Sequence, residues 1–269
     1  MSDVSILKEK KLFLLDLDGT LYISEKIIGK SLEFLDAVVA NGGKYMFLTN
    51  NSSKSVETYI ERLNKIGIKA SEDNFFTSAQ ATSAYVQKKY GKKKKAYVVG
   101  TESFKKSLRD DGFNITDKIE DGIELLIVGY DTELTFKKLE DACRLINRGV
   151  EYIATNPDLA CPSQYGFVPD CGAINACIEC ATGKKPHYAG KPDPTMIYIA
   201  CKKAGIALEK ACMIGDRLYT DIAIGNNAGI TSVAVLTGET TREEIAASKG
   251  NLVPDIVCES IDDVYNAIK

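Results

Sequence analysis

The sequence predicts an α/β fold, a doubly wound parallel-sheet core into which a second α/β segment is inserted. Three observations carry that expectation. Short apolar runs of strand length alternate with stretches of helical periodicity, and the connections between them are brief. Glycines close the helical stretches, at Gly42 and Gly43, at Gly67 and at Gly229. Polar residues follow directly on three of the apolar runs, at Asp16, Thr49 and Asp216. A parallel sheet covered on both faces produces this pattern, because its strands are apolar throughout and each return passes through a helix.

Taken in order, residues 11–15 read as a buried strand ending in Asp16-Leu17-Asp18-Gly19-Thr20. A helix follows over 30–41, with Leu32, Phe34, Leu35, Ala37, Val38 and Val39 on a mostly helical apolar face. Residues 45–48 form a second strand, then comes Thr49-Asn50-Asn51-Ser52-Ser53, and 56–66 is a second helix. Later in the chain, 211–215 reads as a strand, 220–228 as a helix and 231–236 as another strand. Between these lies a second series, with strands at 95–99, 125–128 and 152–154 and helices at 103–109, 136–148 and 173–182. The expected domains are therefore a core of residues 1–80 plus 187–269 and an inserted α/β domain of residues 81–186.

With 269 residues, 45% hydrophobic and 26% charged, the chain has the composition of a soluble globular protein able to bury its core without staples. A net charge of −3 gives no field that would collect nucleic acid or an anionic membrane, so neither is expected as a partner. The basic run 92–95 reads as a solvated turn. No stretch approaches the roughly 20 apolar residues of a membrane span. Asp16 and Asp18 interrupt the first apolar run too early for a signal segment, and a cytoplasmic location is expected. The eight cysteines follow no small-scaffold spacing and are expected to be free thiols. Cys177 and Cys180 form a lone C-x-x-C in a helical pattern and read as core or near-core packing, since no second pair completes a zinc site. One histidine, His187, cannot build a multi-histidine metal centre, so hydrolytic chemistry is to be sought among carboxylates.

Asp16 and Asp18 stand two residues apart at the end of a buried strand. Ionised carboxylates in a dry site require a cation or a proton, and Mg²⁺ suits hard oxygens from one or two carboxylates. Asp216 adds a carboxylate from another strand end, which makes Asp16, Asp18 and Asp216 the expected metal ligands. Asp221, at the start of the next helix, can cap backbone N–H groups or approach the cation's water shell. Thr49 and Asn50, at a strand-to-helix junction, offer a phosphate seat, although an N-capping segment has the same composition. Lys191, held between Gly190 and Pro192, supplies an ammonium that can balance carboxylates against phosphate. Together these residues describe a phosphoryl-transfer site. Asp16 attacks phosphorus to give an acyl phosphate, and Asp18 protonates the leaving alcohol and later activates water.

In this arrangement the sequence resembles the haloacid dehalogenase superfamily. Its DxDGT motif is matched by Asp16-Leu17-Asp18-Gly19-Thr20, its second-motif threonine by Thr49, its lysine by Lys191, and its GDxxxxD by Gly215, Asp216 and Asp221. Thr49-Asn50-Asn51, Thr155-Asn156-Pro157-Asp158 and Gly190-Lys191-Pro192 together resemble the NagD-like, p-nitrophenyl phosphatase branch. The resemblance implies a Rossmann-like core with an α/β cap that supplies specificity, Asn156 and Asp158 as candidate substrate contacts, and a homodimer through the cap. It also implies a Mg²⁺-dependent phosphatase of a small phosphomonoester: a sugar phosphate, a phosphoglycolate-like compound, a nucleotide or pyridoxal phosphate. A phosphotransferase or mutase with the same intermediate, or a non-catalytic ligand-binding regulator, would share the scaffold. One departure is Pro169-Asp170-Cys171-Gly172, where the branch often has Pro-Gly-x-Gly; an extra carboxylate there bears on the leaving group accepted. Asp18 argues against a dehalogenase, which lacks the second acid.

Overall fold

The computed structural model describes residues 4–163 and 166–269. The chain divides into two compact units, one of Met1–Thr49, Tyr59–Phe76 and Lys191–Lys269, the other of Asn50–Thr58 and Thr77–Gly190. Compactness thus draws the second unit from 77 to 190 and adds the 50–58 segment, whereas periodicity alone marks out 81–186.

A short 3-10 helix, Val4–Glu9, precedes β1 (Leu12–Leu15), a short antiparallel hairpin of β2 (Tyr22–Ile23) and β3 (Lys26–Ile27), and α1 (Ser31–Ala40). Then come β4 (Lys44–Thr49), α2 (Val56–Lys65) and β5 (Phe75–Thr77). The second unit runs through α3 (Ser78–Tyr90), β6 (Lys95–Val99), α4 (Glu102–Asp110), β7 (Ile115–Thr116), β8 (Ile123–Val128), α5 (Phe136–Asn147) and β9 (Glu151–Ala154). A hairpin of β10 (Ala160–Ser163) and β11 (Gly166–Pro169), α6 (Cys171–Thr182) and β12 (His187–Tyr188) follow. The chain closes with α7 (Thr195–Ala204), β13 (Ala211–Gly215), α8 (Ala223–Ala228), β14 (Thr231–Val235), α9 (Arg242–Ala247), β15 (Ile256–Cys258) and α10 (Ile261–Ile268).

In the first unit the sheet order is β15-β14-β13-β1-β4-β5. β1 pairs in parallel with both central neighbours, so that Leu15 stands opposite Ile214 on one side and Phe47 on the other. Leu12, Leu14, Leu15, Phe47 and Ile214 are fully buried, each worth roughly 1.5–3 kcal/mol in water-excluded apolar area. From β1 the chain steps one way along the sheet to β4, and from β13 it steps the other way to β14. Right-handed crossovers therefore place α1 and α8 on opposite faces. α1 packs with α10 and α7 packs with α8, giving the two helical layers. The direction changes between β1 and β13, and their carboxyl ends flank the crevice where open parallel sheets bind ligands.

In the second unit the order is β12-β9-β8-β6-β7, all neighbours parallel. Alternation along the strands builds two cores. Tyr97, Val99, Leu126 and Val128 face one cluster, with Leu145, Ile174 and Ile178. Ala96, Val98, Leu125 and Ile127 face the other, with Val86, Phe104 and Leu108. Threonines cap the helices as the sequence allows. Thr77 and Gln80 form a reciprocal capping box on α3, and Thr101 and Thr135 cap α4 and α5.

Two expectations need correction. Cys177 and Cys180 are exposed rather than packed, because α6 buries the stripe of Cys171, Ile174, Asn175 and Ile178 and turns both thiols outward. The helix expected over 220–228 begins instead with a π-type turn, Leu218–Ile222, before α8. All eight cysteines are free. Among the described residues no helix is long and apolar enough to cross a membrane.

Candidate active site

Strand pairing delivers the first carboxylate. The Asp16 N–H donates to Ile214 O at 2.9 Å, which prolongs the β1–β13 ladder by one residue and sets Asp16 on the rim. After it the chain closes a single helical turn, with Leu21 N donating to Leu17 O at 3.0 Å. Gly19, inside this turn, has φ +84°, and a Cβ there would lie 2.5 Å from Asp216 Oδ2. Gly238 has the same constraint from the other side, a Cβ falling 1.9 Å from that oxygen. Both positions require glycine so that Asp216 can lie between two backbone segments.

Lys191 is almost fully buried and joins three elements. Its Nζ donates to Asp16 Oδ1 at 2.6 Å, to Asp221 Oδ1 at 2.6 Å and to Leu48 O, in β4, at 3.1 Å. The π-type turn aims Asp221 inward: both Asp221 N and Ile222 N donate to Arg217 O, and Arg217 N donates back to Asp221 Oδ2 at 3.1 Å. Asp221 is therefore held as a partner of Lys191 and of its own turn. Asp216 Oδ2 accepts from Glu239 N at 2.8 Å, while Asp216 Oδ1 is buried with no hydrogen-bond partner among the described residues.

Ligand oxygens of Asp16, Asp216 and Asp221 lie within 4.8 Å of one another. This close group contains Asp221 where the sequence suggests Asp18; Asp18 lies beyond the end of β1, and its Oδ2 accepts from Tyr22 Oη at 3.4 Å. Burial, reinforced by Asp16 and Asp221, raises the Asp216 carboxyl well above the carboxylate range. Burial also raises Asp221, against the pull of Lys191. For Lys191, burial works against the ammonium, but the Asp16 and Asp221 carboxylates outweigh it and the group is held above its ordinary value. Asp18 faces solvent at the rim, yet desolvation on its protein side and the charge of Asp16 push it up to about 6. Three crowded acids against one ammonium, with one buried acid oxygen unpartnered, fit a hard divalent cation.

Thr49 is buried at the end of β4, on the same rim. Asn50, Asn156 and Asp158 belong to the second unit and are brought together there. Asn50 Nδ2 donates to Asp158 Oδ1 at 3.3 Å, and Asn156 Nδ2 donates to Asn50 O at 2.6 Å and to Thr155 Oγ1 at 3.2 Å. Asn156 Oδ1 accepts from Asp158 N at 3.0 Å, closing a turn in which both ends of the amide are used. Asp170, the unusual acid of the Pro169–Gly172 segment, caps α6 by accepting from Cys171 N at 2.5 Å. His187 stacks on Tyr85, with ring centroids 4.1 Å apart. Sequence reasoning missed Glu239, whose amide holds Asp216 and whose carboxylate pairs with Arg217. Its signal was present, since Thr237-Gly238-Glu239-Thr240 is a further polar run after a strand.

Comparison with known proteins identifies the family. Residues 13–114 match a family model described as haloacid dehalogenase-like hydrolase, and residues 188–264 match a second, HAD-hydrolase-like model. An acid sugar phosphatase of Staphylococcus epidermidis is 32% identical over 243 residues, covering 90% of this chain and 93% of that protein. The crystal structure of a 4-nitrophenylphosphatase from Thermotoga maritima superposes with a TM-score of 0.90 at 38% identity, covering 98% of this chain and 99% of that one. A glycerol phosphate phosphatase from Mycobacterium tuberculosis, solved with magnesium, gives 0.89 at 27% identity, covering 98% and 79%. The chain belongs to the haloacid dehalogenase-like hydrolases and, within them, to the NagD-like phosphatases.

Proposed function

We propose that the chain hydrolyses a small phosphomonoester, a sugar phosphate foremost, with Mg²⁺ and through an aspartyl phosphate on Asp16. The observation that carries this reading is the clamp on Asp16: Lys191 Nζ fixes Oδ1 at 2.6 Å, which leaves the other carboxylate oxygen to attack phosphorus. Asp16 and the unpartnered Oδ1 of Asp216 would hold the cation, which when bound screens the approaching phosphate from the carboxylates and polarises it. Lys191 balances charge between nucleophile and phosphate, and Asp221 keeps Lys191 in place. Thr49 seats a phosphate oxygen at the end of β4. Asp18, the solvent-facing acid, donates a proton to the leaving oxygen as the P–O bond breaks and then takes one from the water that hydrolyses the acyl phosphate. The preference for a sugar phosphate is supported by the acid sugar phosphatases among the relatives. Purified protein would be assayed against sugar phosphates, glycerol phosphate, phosphoglycolate, nucleotides and pyridoxal phosphate, with Mg²⁺ and with a chelator. Phosphate release that needs the metal is expected. A phosphorylated acceptor in place of inorganic phosphate would make the enzyme a transferase, and no turnover of any ester would leave a ligand-binding protein.

A further inference from the structure

Asp18 has an acid's role in this reading but, unlike the other carboxylates, it stands on the solvent side of the site, where a side chain samples several rotamers. Only one side-chain hydrogen bond restrains it among those described, from the phenol of Tyr22. Tyr22 is fully buried on β2, and a buried phenol needs a polar partner for its O–H. Arg62, on α2, holds this tyrosine in place from two sides. Its guanidinium lies 5.2 Å from the Tyr22 ring centroid, and its Nη2 donates to the carbonyl of Ser24. Ser24 is the first of the two residues that join β2 to β3, and it is held at φ 59°. One arginine thus pins both the ring and the turn of the hairpin that carries it.

We infer that Tyr22 and Arg62 are positioning residues for proton transfer: they hold the Asp18 carboxyl so that its proton sits on Oδ1 and points at the leaving-group oxygen. The chemistry follows from donor and acceptor roles. Tyr22 O–H donates to Oδ2, so Oδ2 serves as the acceptor oxygen and the acid's proton resides on Oδ1. As the ester P–O bond breaks, that proton passes to the departing oxygen and Asp18 is left as the carboxylate. The inference rests on the assignment of Asp18 as general acid.

The test compares two esters of one shape in the presence of Mg²⁺, 4-nitrophenyl phosphate and phenyl phosphate. The nitrophenolate departs readily without a proton, whereas the phenolate is the poorer leaving group and depends more on the acid. In Tyr22→Phe, kcat/KM for phenyl phosphate should fall about tenfold, and for 4-nitrophenyl phosphate about twofold or less. Arg62→Ala should reproduce the unequal loss to a smaller extent, and Arg62→Lys should restore most of it. Equal losses on both esters in Tyr22→Phe, or none on either, would overturn the inference. Asp18→Asn, run alongside, separates the two levels. It should show the same inequality with a larger amplitude; if it does not distinguish the esters, the acid assignment itself falls and the positioning role with it.

Discussion

Two parallel sheets in this chain change direction in the same way, between β1 and β13 in one and between β6 and β8 in the other, and the two crevices are filled differently. At the first stand the acids Asp16 and Asp216, with the buried Asp216 Oδ1 lacking a hydrogen-bond partner among the described residues. At the second the chain's own 50–53 segment takes the ligand's position. Ser52 Oγ accepts from Tyr130 N at 2.9 Å and bonds Thr155 Oγ1 at 3.0 Å, and Ser53 O accepts from Thr101 Oγ1 at 3.0 Å. Asn156 and Ser78 complete this closure on Asn50 O. A buried polar group costs free energy unless it is paired. A closed network therefore stabilises its fold, whereas a cluster left short of partners and crowded with acids is arranged for something that binds.

Removal of the proposed nucleophile at the first crevice should have the largest effect. Asp16→Asn should lower turnover by about 10³-fold or more while the protein still folds, read by steady-state phosphate release and a thermal melt. Near-normal activity would sink the mechanism. Metal binding comes next. At Mg²⁺ about 100-fold above its Kd, the first unit should gain about 2.7 kcal/mol, seen as a higher Tm that a chelator abolishes. Asp216→Asn should erase that gain without lowering the metal-free Tm, since the amide replaces a carboxyl whose charge burial and Asp16 already disfavour; a metal response kept in this variant would place the cation elsewhere. In the closed network, Asn156→Ala should cost about 2 kcal/mol of stability by removing the amide that accepts from Asp158 N and donates to Asn50 O and Thr155 Oγ1. A changed KM with an unchanged melt would instead return Asn156 to the role of substrate contact. The smallest effect belongs to the surface: Cys177→Ser and Cys180→Ser should each stay within about 0.5 kcal/mol of the parent in denaturant unfolding.

Much of the first crevice was legible in the residues. Asp16, Thr49 and Asp216 each end an apolar run, and strand ends in a parallel sheet share one rim, so order along the chain implied proximity in space. Lys191 was legible only as a lysine in a stiff loop; that it reaches Asp16, Asp221 and Leu48 at once depends on three elements meeting. Asp221 was ambiguous between capping and the metal's water shell because both uses follow a helix start. The π-type turn, which one-dimensional periodicity does not mark, brings Asp221 to Lys191, to its own turn's amide and within ligand distance of Asp16 and Asp216. Asn50 and Asn156 were legible as residues beside strand ends, but their bonds to Asp158, Thr155 and the Asn50 carbonyl were not. An Asn beside a strand end looks alike whether it faces a ligand or another carbonyl.

Period, composition and chain order sufficed for the α/β class and for the strand ends at which Asp16, Thr49 and Asp216 stand. These three are local properties of the chain. Tertiary structure alone decided which acids lie within ligand distance of one another, which oxygen of Asp216 is left unpartnered, that Tyr22 and Arg62 stand behind Asp18, and that Cys177 and Cys180 face outward. Each of those depends on side-chain direction and on partners far away in sequence. Hydrogen-bond satisfaction is counted only after packing has chosen who is near whom.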